Sequence, residues 1–297
     1  MTLELARREL FGLRFIDACD VGPVIEALLD GSGADPLLDD PAPVVVTPNV
    51  DLLVHLARGD SPPSVKLVHR AAYVLADGQP VVWASRLFGA PLATRLAGST
   101  LVAGLWPRIM AERRSVLVIA ASESLADLTR AEYPKARVVV APFFAADDAD
   151  VLASIVTACA TECAGDSPEF VLVGLSYPKQ YVLIDALLRT WPSDGSPRVY
   201  LAVGASFEMY YGLRKRSPEW LQRVGMEWFY RFAQEPRRLF RRYFVDDLAF
   251  GRIVWREYRV RTKASPAAGR EREIGAVLPG PWPAKQHPEE HVRERAN

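Results

Sequence analysis

The chain has 297 residues, of which 49% are hydrophobic and 24% charged, and its 36 Lys and Arg balance 36 Asp and Glu. So much apolar sequence can bury the core of one large domain, or of a domain with an appendage, and it excludes wholesale disorder. The three cysteines, Cys19, Cys159 and Cys163, have no CxxC spacing, which speaks against a disulfide framework or a structural zinc site and for a reducing cytosol. Residues 1–10 mix Glu4, Arg7, Arg8 and Glu9 with apolar positions and do not read as a signal peptide, and no run of about 18 apolar residues offers a membrane span.

In chain order, the first forty residues, with GSGADPLLDDPAP, read as a small N-terminal element and a loop. Short β-branched runs follow: VVVT (44–47), AYVLAD (72–77), VLVIAAS (116–122), RVVVAP (137–142), FVLVGLS (170–176) and VYLAVGA (199–205). Between and around them the pattern predicts helices at 50–58, 80–88, 101–113, 124–132, 148–163 and 179–190. Continuous apolar strands alternating with helices predict an α/β fold with a mostly parallel sheet flanked by helices. After about residue 206 the strands stop, and helical, basic, aromatic sequence continues to about 261. From Ser265 onward the chain is rich in Pro and charge without periodicity, the composition of disorder. The expected division is therefore an α/β domain over 1–205, a helical appendage over 206–262 and a disordered tail over 263–297.

Ligands of an open parallel sheet sit beyond the carboxyl ends of its strands. Those ends carry Thr47-Pro48-Asn49, Asp77-Gly78-Gln79, Ala121-Ser122-Glu123, the stretch from Gly174 through Pro178, Lys179 and Gln180, and Gly204-Ala205-Ser206-Phe207-Glu208. Small residues beside polar ones suit a backbone that approaches a polar ligand. Asp77 follows an apolar strand and either projects into the crevice or serves a turn or helix cap with Gly78. Thr47 and Asn49 either cap the helix near Val50 or hydrogen-bond a hydroxylated ligand. Lys179 is either a plain exposed lysine or a phosphate contact at a helix start, where free N–H groups and the dipole favour an anion. Asp148-Ala149-Asp150 has a DxD spacing, but acidic residues in a first helical turn are ordinary, and the four histidines form no metal constellation. No GxGxxG or Walker A lysine follows a strand.

Overall neutrality hides a division, because Arg214 to Lys263 hold fourteen Lys or Arg against six Asp or Glu. Within that segment EWFYRFAQEPRRLFRRYF (227–244) crowds aromatic rings against five arginines. A helix begun at Pro236 puts Arg237, Arg238, Arg241 and Arg242 on one arc and Leu239, Phe240, Tyr243 and Phe244 on the other. Either the apolar face packs on the protein's own core and the arginines form a solvated or phosphate-facing edge, or the segment meets a partner, a polyanion or an anionic membrane surface.

Several of these pieces, in order, resemble the WecG/TagA/CpsF glycosyltransferases of bacterial envelope polysaccharide synthesis: VVVTPN (44–49), AYVLADGQPVVWASRLFG (72–89), RLAGST (95–100), VGLSYPKQ (173–180) and the block from Gly204 to Tyr243. In the last block Arg216, Pro218, Trp220, Gly225, Glu227, Trp228, Tyr230, Arg231, Gln234, Glu235, Pro236 and Arg237 keep the family spacing. The resemblance implies a Rossmann-like sheet and an inverting, metal-independent transfer of a hexose or N-acetylhexosamine, such as N-acetylmannosamine, from a UDP-sugar to a polyprenyl-diphosphate-linked sugar. It implies no cofactor and no nucleic-acid partner. It also implies a cytoplasmic protein, peripheral on the inner face of the membrane, whose C-terminal appendage meets an anionic bilayer through Arg214, Arg216 and the four arginines of the 237–242 arc. Asp77 matches the general base, with Thr47 beside it. Asn49, Arg95, Gly98, Ser99, Gly174, Pro178, Lys179, Gln180 and Glu208 fall into the substrate-binding set.

Four positions depart from the family pattern. Ser122 follows Ala121 where a Gly-Gly turn is usual, Thr100 replaces a carboxylate, Tyr181 replaces an acidic residue after Gln180, and Glu208 stands where an aspartate is usual. Changes around one crevice imply an altered donor or acceptor. A non-catalytic or regulatory relative acting as a membrane-surface scaffold is the alternative.

Overall fold

A computed structural model describes residues 4–165, 167–191, 198–214 and 247–263. The amphipathic segment at 227–244 and the tail from Ser265 lie outside the described residues. Six strands fall where the apolar runs predict them: β3 (Ala42–Val46), β4 (Ala71–Val74), β5 (Val116–Ala120), β6 (Arg137–Val140), β7 (Phe170–Val173) and β8 (Val199–Ala202). The first forty residues contain more than expected, namely a hairpin of β1 (Arg7–Leu10) and β2 (Leu13–Ile16) and a helix α1 (Gly22–Leu29). Phe11 and Gly12 between the two strands both take positive φ, 55° and 71°, which is what a tight two-residue hairpin turn demands. The sheet runs β1-β2-β4-β3-β8-β7-β5-β6, with β1 antiparallel to β2 and the other neighbours parallel.

The helices are α2 (Val50–Arg58), α3 (Gln79–Leu87), α4 (Gly98–Ala111), α5 (Glu123–Glu132), α6 (Ala149–Glu162), α7 (Lys179–Thr190), the short α8 (Ser206–Tyr210) and α9 (Asp247–Lys263), with a 3-10 helix at Pro63–Arg70. Local chemistry sets several of their ends. In α2 the Asn49 side chain accepts from the Leu52 amide, Asp51 sits in the positive first turn, and Gly59 closes the helix at φ 69°. Ser122 caps α5 and Asp148 caps α6 in the same way, so Asp148 of the DxD pattern serves the helix it precedes.

Period-two alternation along the strands divides the core between two faces. Val44, Val46, Leu117 and Ile119 face the layer that contains α2, α3, α6 and α7, whereas Val45, Val116, Val118 and Ala120 face α1, α4, α5 and α8. Cys159 and Cys163 are buried in the first layer, and burial pushes their thiols up to about 12 and about 11, as befits packing residues. The inner face of α9 joins that same core: Phe250 is buried, lies 5.6 Å from Phe11, and is flanked by Ile253 and Val254.

The N-terminal hairpin is joined to the sheet by charge. Arg14 Nε donates to Asp35 Oδ2 at 2.6 Å, Arg7 lies 3.8 Å from the same oxygen, and Arg7 Nη2 donates to the carbonyls of Gly33 and Ala72. Asp35 is 2% exposed, and burial pulls the Arg7 guanidinium below its ordinary value while Asp35 opposes that shift. Deleting one member of a buried ion cluster strands the others. Asp35→Ala should therefore lower unfolding free energy in urea by about 3 kcal/mol or more. Asp35→Asn, which keeps an acceptor for the Leu37 amide, should lose less. A loss below about 1 kcal/mol for the alanine variant would show that solvent, not Asp35, balances the arginines.

Candidate active site

The crevice lies where neighbouring strands β3 and β8 send their helices to opposite faces, α2 to one layer and α8 to the other. Such a switch point leaves the carboxyl ends of both strands uncovered. Thr47 to Asn49 leave β3, Gly204 to Glu208 leave β8, Asp77 leaves β4 and Gly174 to Gln180 leave β7 on the other side. The backbone locks these loops together: the Leu75 amide donates to Val46 O at 2.9 Å, and the Asp77 amide donates to Pro48 O at 3.0 Å.

Asp77 is not the cap of α3. That position belongs to Gly78, which places no side-chain oxygen on the helix. The Asp77 carboxylate instead faces the start of α4, where Oδ2 accepts a long hydrogen bond of 3.4 Å from the Gly98 amide. Gly98 is itself wedged in place, since a Cβ there would stand 3.2 Å from Ser206 Oγ and 3.3 Å from Thr47 Cγ2. Thr47, Asp77, Gly98 and Ser206 thus meet at one point although they come from four separate segments. The helix predicted at 101–113 begins three residues earlier, at Gly98, and this puts Ser99 in its first turn and Arg95 in the loop leading to it.

Asn49 caps α2, its Oδ1 accepting from the Leu52 amide at 3.0 Å. Gly174 is required sterically, because a Cβ would stand 3.1 Å from the Ile119 carbonyl and 3.8 Å from that of Gly204. Gly204 adopts φ 52°, and its position lies 3.6 Å from Gln180 Oε1 by the same measure. Gln180 is only 8% exposed, yet that oxygen has no partner among the described residues. Such a buried acceptor invites an N–H or O–H donor from a ligand.

Helix α7 starts after a cis Tyr177-Pro178 bond with no side-chain cap and no acidic residue in its first turn. Lys179 there is not a plain exposed lysine. Its Nζ lies 4.3 Å from the centre of the Phe143 ring and 5.1 Å from that of Phe144. Phe143 is 96% exposed at the carboxyl end of β6, a residue the strand-end reading passed over. An apolar pair in the sequence APFFAA (141–146) carries no periodic signal of ligand contact, so only its exposure beside a cation marks it.

The four departures divide by surroundings. Ser122 serves as a helix cap, and Thr100 lies exposed on the first turn of α4. Tyr181 is buried, and burial, with contributions from Tyr177 and Asp77, holds its phenol above the ordinary value. Glu208 lies 3.8 Å from Arg214 in an ion pair, and the Arg214 amide donates to the Glu208 carbonyl. Tyr177, next to the loop's lysine, stacks on His55 at 5.0 Å and shares a 2.9 Å hydrogen bond with Ser61. Of the arginines expected at a membrane or phosphate, Arg214 is the one in view; Arg216, Arg237, Arg238, Arg241 and Arg242 lie outside the described residues.

A mostly parallel eight-stranded sheet with helices on both faces, and with a carboxylate, a hydroxyl and an uncapped helix start around its switch point, defines an α/β protein of the Rossmann-like class. The chain belongs, more narrowly, to the glycosyl transferase WecG/TagA/CpsF family, whose model matches residues 9–264. Among curated proteins it is similar to the N-acetylglucosaminyldiphosphoundecaprenol N-acetyl-beta-D-mannosaminyltransferase of Bacillus spizizenii, 28% identical over 173 residues, covering 57% of this chain and 63% of that protein. The protein of the same name from Bacillus subtilis strain 168 is 28% identical over 170 residues, covering 56% and 62%. That of Staphylococcus aureus strain MRSA252 is 24% identical over 200 residues, covering 66% and 73%. The chain thus spans about three-fifths of the length of the Bacillus relatives it matches.

Proposed function

We propose that the protein is an inverting, metal-independent glycosyltransferase that moves a hexose or N-acetylhexosamine from a UDP-sugar to a polyprenyl-diphosphate-linked sugar, in envelope polysaccharide synthesis. The observation that carries this reading is the convergence of Asp77 and Thr47 on the start of α4 within the β3/β8 crevice. The names of the relatives, which combine an N-acetylmannosaminyl donor group with a diphosphoundecaprenol-linked acceptor, supply the substrate class.

In this reading Asp77 is the general base. An acceptor hydroxyl is a weak nucleophile, and a carboxylate about 3 Å away that takes its proton as the new bond forms contributes roughly 10²- to 10⁴-fold. The crevice orients donor and acceptor in line, with Thr47, Asn49, Arg95, Ser99, Gln180 and Glu208 as the polar contacts. Charge developing on the departing UDP falls to the N–H groups at the start of α7, to Lys179 and to arginines of the C-terminal segment. Gly174 and Pro178 shape the loop that lets the diphosphate approach.

Residues 206–262 form, on this proposal, the appendage that brings the site to the membrane. Among the described residues no helix is long and apolar enough to cross a bilayer. The outward face of α9, however, combines Trp255 (61% exposed) and Val260 (58%) with exposed Arg252, Arg256 and Arg259. Basic side chains near an anionic bilayer contribute about 1 kcal/mol each, and tryptophan favours the interface.

Three outcomes are expected. Asp77→Asn keeps the fold and UDP affinity but loses at least about a hundredfold in transfer rate, and chelator leaves the wild-type rate unchanged. Wild-type turnover by that variant would remove Asp77 from the chemistry, and a rate lost to chelator and restored by Mg²⁺ would replace the metal-free mechanism. Lys179→Ala weakens UDP more than uridine by calorimetry, whereas equal losses would place the lysine away from phosphate. Vesicle sedimentation shows preference for anionic over neutral lipid that fades with salt and with glutamine at Arg237, Arg238, Arg241 and Arg242. Binding indifferent to lipid charge would overturn the membrane role, and unfolding of the quadruple variant would assign those arginines to internal packing.

A further inference from the structure

Glu132, the last residue of α5, accepts hydrogen bonds from three side chains remote in sequence: Trp106 Nε1 at 2.8 Å, Tyr211 Oη at 2.7 Å and Tyr210 Oη at 3.2 Å. Trp106 belongs to α4, while Tyr210 ends α8 and Tyr211 follows it, so one carboxylate ties three helices together. The clamped object is Phe207, fully buried, with the Trp106 ring edge-on at 4.8 Å and Tyr211 at 5.4 Å.

The arrangement uses a property particular to a carboxylate. An indole has only a donor, phenols donate readily, and an ionised glutamate has acceptor sites on both oxygens, whereas a glutamine has one acceptor oxygen and turns an NH₂ toward the remaining donors. Burial first, and then Glu132, hold the Tyr211 phenol above its ordinary value, so it remains a donor through the neutral range. Helix α8 needs an external restraint, because its 5 residues are too few to hold a helix by themselves. It is also the element that places Ser206 against Gly98, next to Asp77.

We propose that Glu132 is a positioning residue for the transfer reaction: by fixing Trp106, Tyr210 and Tyr211 it seats Phe207, and so holds the α8 wall, with Ser206 at its front, against the start of α4 where Asp77 works. The proposal rests on the glycosyltransferase reading. Its action is indirect, through α8, and it touches neither substrate nor the reacting atoms.

The test uses the full chain with Glu132→Gln, and Tyr211→Phe as a milder variant that removes a single donor. Hydrogen exchange at the amides of Met209, Tyr211 and Gly212, which bond back onto Ala205, Phe207 and Met209, should accelerate about tenfold in Glu132→Gln while exchange in the strands is unchanged. With the UDP-sugar that the wild type turns over, kcat should fall about tenfold at unchanged donor KM and unchanged UDP affinity, with Tyr211→Phe in between. Unaltered exchange at the three amides would overturn the proposal. So would faster exchange with wild-type kcat, or a rate lost only in proportion to folded protein. Should no UDP-sugar be turned over by the wild type, the glycosyltransferase reading fails. Local exchange and UDP affinity then still decide whether Glu132 holds this wall, with a global change in exchange counting against it.

Discussion

Everything at the candidate site depends on the pairing of β3 with β8, in which Val44 lies opposite Tyr200 and Val45 opposite Leu201. Those four residues join strands more than 150 positions apart in the chain, and the contact closes two halves of the sheet that are otherwise built separately. On one side β4 and the N-terminal hairpin extend from β3; on the other β7, β5 and β6 extend from β8. Because helices leave the two central strands toward opposite faces, neither helix covers the joint. The connection that runs from β4 to β5 passes over it, and it leaves Gly98 between Thr47 and Ser206. A Cβ at Gly98 would stand 3.2 Å from Ser206 Oγ and one at Gly174 3.1 Å from the Ile119 carbonyl, so both glycines serve the close approach of segments at this joint.

The polar residues at the strand ends are sorted by what the helices require. Helix starts carry unsatisfied N–H groups, and a side-chain oxygen placed there is committed to the backbone. Asn49 and Ser122 are used in that way, as is Asp148 on α6. Asp77 does not cap α3, where Gly78 holds that position, but its Oδ2 accepts from the Gly98 amide at the start of α4, and α7 follows Pro178 with no side-chain cap. The uncapped start of α7 and the buried Gln180 oxygen, which has no partner among the described residues, are strand-end groups that no helix cap uses.

Charge is used in two opposite ways. Around Asp35 it is buried, and Arg7 and Arg14 add ion pairs to a hairpin that also buries Leu10, Leu13, Phe15 and Ile16. The hairpin is then capped by α9, where Phe250 meets Phe11 and Arg261 reaches the Glu9 carbonyl at 2.6 Å. On the outer face of α9 charge is exposed, with arginines around Trp255. One helix thus closes the core with its inner side and presents a basic, partly aromatic surface with the other, which is how a chain of zero net charge acquires a strongly basic region.

The sequence by itself determined the layered α/β class and six of its strands, because continuous β-branched runs separated by amphipathic stretches have few other ways to bury themselves. It also marked Asp77 and Thr47, because a polar residue directly after an apolar strand emerges at the sheet's edge, and Gly174 and Lys179, because they lie on the turn from a strand into a helix start. It did not reveal β1 and β2, whose four-residue RREL and LRFI runs are short and interrupted by charge, and whose Arg7 and Arg14 meet Asp35 only in the fold. Nor could it show which strand-end oxygens are spent as caps, that Phe143 stands exposed beside Lys179, or that Glu132 gathers donors from 26 to 79 positions away. Each of these is a contact between segments whose separation along the chain carries no periodic signal. Only the closure of the sheet and the packing of α4 against α8 brought the partners within hydrogen-bonding distance.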